Sequence, residues 1–175
     1  MRPVFTIAIL ITTIPPLAVE MSSQSRQRIS SGAASRSALL QTIVHPFLRD
    51  SAQIFSGTVL KIEHRNSESS GSLATTTIFF RVDEAIRNVT RGQIVEVHEW
   101  AGLWQSGERY RPGECVLLFL YPLSKLGLTS PVGNRSGRFP VDRTGRVILK
   151  DPTGNPVQPI EVRRVVAAIR QAEKE

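Results

Sequence analysis

The residues best suited to chemistry or recognition lie between positions 98 and 115. His98-Glu99-Trp100-Ala101-Gly102 is followed by Trp104, then by Arg109-Tyr110-Arg111 and the single cysteine, Cys115. Aromatic rings beside guanidinium groups form platforms on which bases, sugars or protein side chains stack. One base stacked on such a ring contributes about 1–3 kcal/mol. Trp100, Trp104, Arg109, Tyr110 and Arg111 are therefore the candidate binding residues. The loop at 126–138 adds Arg135 and Arg138 if it folds to the same end of the domain. The competing reading is packing: Trp100 caps the core, Tyr110 lies under the Pro112 turn, and the arginines face solvent.

Catalytic patterns are incomplete. His98-Glu99 opens like a zinc-protease helix, but Gly102 stands where the second histidine is needed, and the segment reads as a strand. No metal site is expected, and His45, His64 and His98 read as surface polar residues. Gln105-Ser106-Gly107 lacks the first glycine of a nucleophile elbow. The glycines near 102, 107 and 113 lack the Gly-Lys-Ser/Thr ending of a phosphate loop. Asp83 and Glu84 are sequence neighbours on a strand and point to opposite faces, which suits no acid–base pair. The expectation is a protein that is not an enzyme and holds no cofactor. A hydrolase with a triad assembled only in three dimensions stays the third reading. Cys115 has no partner for an intrachain disulfide and reads as a small core hydrophobe inside a buried strand.

Charge narrows the partners. The 175 residues carry 22 Lys+Arg against 15 Asp+Glu, a formal net charge of +7, and 18 of those cations are arginine. Such an excess suits anions: nucleic acid, acidic glycan or an acidic surface. A nucleic-acid surface gathers its charge on one face, whereas here arginines are scattered from Arg26 to Arg170 among acids. That distribution argues against nucleic acid.

These residues need elements to hold them. Residues 1–20 carry Arg2 and then an uncharged apolar stretch from Val4 to Val19. This is the pattern of a secretory signal, short for a span and interrupted by Pro15-Pro16. Left uncleaved, it is an N-terminal anchor, the one route to a membrane. Residues 21–37 lack a hydrophobic period and read as a disordered linker. A single domain at 38–175 follows. Leu39, Leu40, Ile43, Val44 and Phe47 have helical spacing, limited by Pro46, and place a short helix over one end of the core. Strands are expected at 53–63, bent at Gly57, at 75–86 and at 93–100. Residues 115–121 form a central strand buried on both faces, entered through a Pro112-Gly113 turn. A hairpin spans 137–150. Val162, Val165, Val166 and Ile169 at i, i+3, i+4 and i+7 define an amphipathic helix at 160–174. Five to six strands with two peripheral helices suggest a mainly β, small antiparallel barrel.

The segments FSGTV (55–59), FRVDEAI (80–86), GQIVEV (92–97) and GERYRPGECVLLFL (107–120) together resemble an exported bacterial domain. That domain is similar to the OB-fold of netrin-like and tissue-inhibitor-of-metalloproteinase modules. The resemblance covers roughly residues 53–141 and implies an OB-like barrel. The inhibitors chelate the protease metal through an N-terminal cysteine in a disulfide framework. This chain has neither, so that mechanism does not carry over. The helix that an OB-fold places between the third and fourth strands is expected here as a loop. The resulting expectation is an exported, periplasmic or extracellular binding module that contacts another protein of the envelope. The alternative is an anion binder for acidic polysaccharide or single-stranded nucleic acid.

Overall fold

The computed structural model describes residues 37–66, 73–105, 107 and 109–174. The expected leader at 1–20 and the expected linker at 21–37, except Ser37, lie outside the described residues; Ser37 belongs to the first helix. No helix among the described residues is long and apolar enough to cross a membrane.

The apolar run after the Pro112-Gly113 turn becomes strand β4, Cys115–Leu120 in a chain-order count that starts with β1 (Gln53–Arg65), β2 (Thr75–Arg87) and β3 (Ile94–Trp100). β5 (Arg138–Val141), β6 (Arg146–Val147) and β7 (Ile160–Glu161) follow. Residues 37–48 form helix α1, and Val162–Ala172 form α2. α1 passes Pro46 by two residues, since a helix end can absorb the lost hydrogen bond there. All pairings are antiparallel, and the sheet order is β3-β2-β1-β4-β5-β6-β7.

β4 sits at the centre, as its composition requires. Period-two alternation sends Leu117 and Phe119 to one face and Val116, Leu118 and Leu120 to the other, and all five are fully buried. The first face meets Ile54, Phe139 and Leu149 and is covered by both helices, through Leu40, Ile43 and Val44 of α1 and Val162, Val165, Val166 and Ile169 of α2. The second face meets Phe55, Ile78, Phe80, Val95, Val97 and Tyr110, so there the curled sheet covers itself. Each side chain of this size contributes about 1.5–3 kcal/mol on burial. Arg163, Arg164 and Arg170 occupy the solvent side of α2.

Two sequence expectations need correction. Among the described residues there are seven strands rather than five or six, because the chain after β5 adds two-residue strands β6 and β7 as it leads into α2. The sheet is also open rather than a closed barrel, with β3 at one edge and β7 at the other. β3 and β5 are not paired. Among the described residues, a backbone bond from the Thr129 N–H of the β4–β5 connection to the His98 carbonyl of β3, 2.8 Å, reaches across the gap.

The curl depends on bends in β1. Its register against β2 shifts three times, once between Ser56 and Gly57. A Cβ on Gly57 would lie 2.7 Å from the Arg81 carbonyl oxygen and 3.1 Å from the Phe55 ring. Neither neighbour can withdraw, since one is ladder backbone and the other is a core ring. Gly57→Ala is expected to destabilise the domain by about 1–3 kcal/mol, measured by urea denaturation. A loss of under about 0.3 kcal/mol contradicts this account of the bend.

Candidate functional site

Alternation along β3 puts Glu99 on the same inner face as Val95 and Val97. Its carboxylate is fully removed from water, with 0% side-chain exposure, so its charge has to be met inside the protein. Arg109 and Trp104 meet it through three contacts, and the Tyr110 hydroxyl is a further donor facing it. Arg109 Nε lies 2.9 Å from Oε2, a contact of opposite charges in which the N–H is not aligned as a hydrogen bond. Arg109 Nη2 reaches Oε1 at 3.5 Å. Trp104 Nε1–H donates to Oε2 at 2.9 Å. Burial still pushes the Glu99 carboxyl above its ordinary range, opposed by Arg109 and by the Trp104 hydrogen bond.

Arg109 is itself 2% exposed in its side chain and uses its other arm on the far side of the gap. Nη1 donates to Asn134 Oδ1 at 2.8 Å. Asn134 has φ +64° and follows Gly133, also at φ +64°. Asparagine and glycine tolerate this left-handed pair, and the pair turns the amide towards Arg109. The guanidinium thus links edge strand β3 to the turn preceding β5, where strand pairing does not.

Above this buried link is a surface depression of about 430 Å³ lined by Arg109, Tyr110, Arg111, Glu114 and Arg138. Tyr110 is 1% exposed and packs edge-on to Phe80 and against Trp104, with centroids 5.4 and 6.0 Å apart. The Arg138 guanidinium lies 4.8 Å above the centre of the Tyr110 ring. Its Nη2 is ion-paired with Glu114 Oε1. The type II geometry of Arg111-Pro112-Gly113-Glu114, with Gly113 at φ +81° and Glu114 N–H donating to the Arg111 carbonyl, fixes Glu114 at the rim. The Arg111 N–H in turn donates to Glu114 Oε2 at 3.2 Å. Burial, and then the Glu99 charge, raise the Tyr110 hydroxyl far above its ordinary range, so it stays a neutral donor.

Of the seven residues singled out from sequence, the structure brings Arg109, Tyr110, Arg111 and Arg138 to this depression. Arg109 and Tyr110 are buried, so neither offers an open stacking face. Trp104 stands behind Tyr110 and also meets the His64 ring, 5.2 Å between centroids. Trp100 is 48% exposed at the end of β3 and lies over Gly102. Arg135 is exposed in the 133–136 turn beside Asn134. Neither lines the depression. Cys115 opens β4 and is half-buried rather than a core side chain, with Sγ 3.3 Å from Thr58 Oγ1. His64 and His98 bond Thr76 and Thr77, neighbours on β2 that point to opposite faces, and His45 is on α1. Among the described residues, no three His, Cys, Asp or Glu side chains converge on a metal-sized site.

Sequence reasoning missed Glu99, Asn134 and Glu114. The period-two rule that placed Val95 and Val97 inward carries Glu99 inward too, and the Gly133-Asn134 pair marks a left-handed turn. Nothing local marks Glu114 as the partner of Arg138, 24 residues away. Comparison with family models, curated proteins and solved structures finds no match for this chain.

Removing Arg109 leaves a buried carboxylate without its counter-charge. Arg109→Met is expected to cost about 3–5 kcal/mol. The pH dependence follows from the sign of the Glu99 shift. A carboxyl raised in the folded state binds its proton more tightly folded than unfolded, so its contribution is present at low pH and is lost as pH rises through the folded value. Without Arg109 the shift grows. The stability gap between Arg109→Met and the unmodified protein should therefore narrow from pH 8 to pH 5, by urea denaturation across pH. A gap that is constant or widens contradicts the assignment.

Proposed function

We propose that the protein is an exported, non-enzymatic binding module whose partner is another protein of the cell envelope or extracellular space, engaged at the arginine depression. The observation that carries this reading is convergence. Side chains from the 109–111 loop and from β5, 27 residues apart between Arg111 and Arg138, share one 430 Å³ depression. Its floor is fixed by a buried network rather than by mobile loop contacts. Interfaces concentrate their energy in such places, where arginine and aromatic side chains are held in advance of binding. The apolar, uncharged segment at 4–19 supports export. The order β3-β2-β1-β4-β5, curled but unclosed, supports an OB-like reading of the first five strands, a partly open arrangement that commonly serves binding.

Three guanidinium groups at the site also favour the anion-binding alternative, in which the ligand is an acidic polysaccharide or a nucleic-acid strand. Salt separates the two. Binding that rests on counterion release weakens steeply with ionic strength, whereas a desolvated protein interface holds.

The full chain, used as bait in an envelope extract and eluted by a salt gradient, is expected to retain a defined protein until high salt. Arg138→Ala should lose that protein, while Arg163→Ala on α2 keeps it. Equal recovery by both variants contradicts the site. Nucleic acid or glycan released at modest salt contradicts the protein-partner reading and supports the alternative.

A further inference from the structure

Arg138 already carries a carboxylate. Glu114 Oε1 is ion-paired with Nη2, and the other Glu114 oxygen accepts the Arg111 N–H. Both side chains are partly exposed, 20% for Arg138 and 26% for Glu114. Ion pairs of this kind are weak and exchange readily. The surroundings remain rich in donors. Arg138 Nε is a buried donor without a hydrogen-bond partner, and Arg138 lines the depression, whereas the Tyr110 hydroxyl faces the Glu99 carboxylate. Buried polar groups are usually satisfied, so an orphaned guanidinium N–H at the site points to a missing acceptor. The Arg138 guanidinium is held over the Tyr110 ring, which limits the motion of the fork that a carboxylate matches with two parallel hydrogen bonds.

We propose that the depression binds an aspartate or glutamate carboxylate of the partner protein, and that Glu114 occupies this position in the free protein as an internal competitor. The inference rests on the protein-interaction reading and names the chemistry recognised. Glu114 is suited to leave. It stands at the end of the short Pro112-Gly113 turn, so a rotation of its own side chain uncovers Arg138 without disturbing β4. The incoming carboxylate takes over the Arg138 ion pair, and Glu114 returns to water.

Titration of the full-length protein with a hexaglutamate peptide tests this. Glu114→Gln, which keeps size and removes charge, is expected to bind the peptide about fivefold more tightly than the unmodified protein, the scale of losing one partly exposed ion pair. Arg138→Gln is expected to lose binding, and Arg138→Lys, which keeps charge without the fork, to be intermediate. Arg163→Gln should match the unmodified protein. Circular dichroism confirms that each variant is folded. Equal affinity for Glu114→Gln and the unmodified protein overturns the competitor role. Binding of polygalacturonate without binding of hexaglutamate overturns the assignment to a protein side chain. Absence of hexaglutamate binding in every variant overturns the inference, while Arg138-dependent capture of an envelope protein would leave the interaction reading standing.

Discussion

Glu99 is a charge taken wholly out of water on the inner face of an edge strand, and the surrounding structure is arranged to meet it. Left alone, a buried carboxylate costs several kcal/mol, a large share of the 5–15 kcal/mol that separates a folded domain from its unfolded chain. Arg109 and Trp104 answer that charge directly, and Asn134 satisfies the far side of Arg109. Those three residues lie on two separate connections, so meeting one charge fixes both loops relative to β3. The pair is therefore best understood through the geometry it enforces. Apolar replacements of similar size can match a buried ion pair in stability, yet they do not reach from β3 to the turn before β5.

That link matters because the sheet is open. Its two cores have different covers. One face of β4 is closed by α1 and α2, a conventional helix-on-sheet layer. The other depends on the curl of β1 to β4, with Tyr110 and Trp104 filling its mouth. Among the described residues, the Thr129 backbone bond and the Arg109 guanidinium span the gap between β3 and the β4–β5 connection. The depression lies above this gap, so the same arrangement that keeps water from the inner core orders Tyr110, and Tyr110 in turn seats Arg138.

Much of the scaffold was legible in the sequence because it rests on periodicity. The valine stripe of α2, the double burial of β4, the alternation of β2 around Ile78, Phe80 and Val82 and the bend at Gly57 are local patterns with local causes. The strand total and the openness of the sheet were not legible, because β6 and β7 are two-residue pairings decided by what lies beside them in space. The site was half legible. Arginines and aromatics announced themselves by type, but type does not reveal burial. Arg109 and Tyr110 look in sequence like an exposed platform and instead form its foundation, because Glu99 draws Arg109 inward and the Phe80 ring receives Tyr110. Arg138 is paired in the ladder with Leu118, and its long side chain runs along the sheet to Glu114, 24 residues away, which no local window contains.

Amide hydrogen exchange of Thr129 tests most directly whether the buried pair holds the open edge in place. The comparison is between the unmodified protein and the double variant Glu99→Leu with Arg109→Met, which removes the link and leaves no lone buried charge. Exchange at Thr129 should accelerate by about tenfold or more, as local opening is released from the tether, while the amide of Leu118 at the centre of β4 stays within about threefold. Equal protection of Thr129 in the two proteins would contradict the account and leave the edge held by backbone and apolar packing alone.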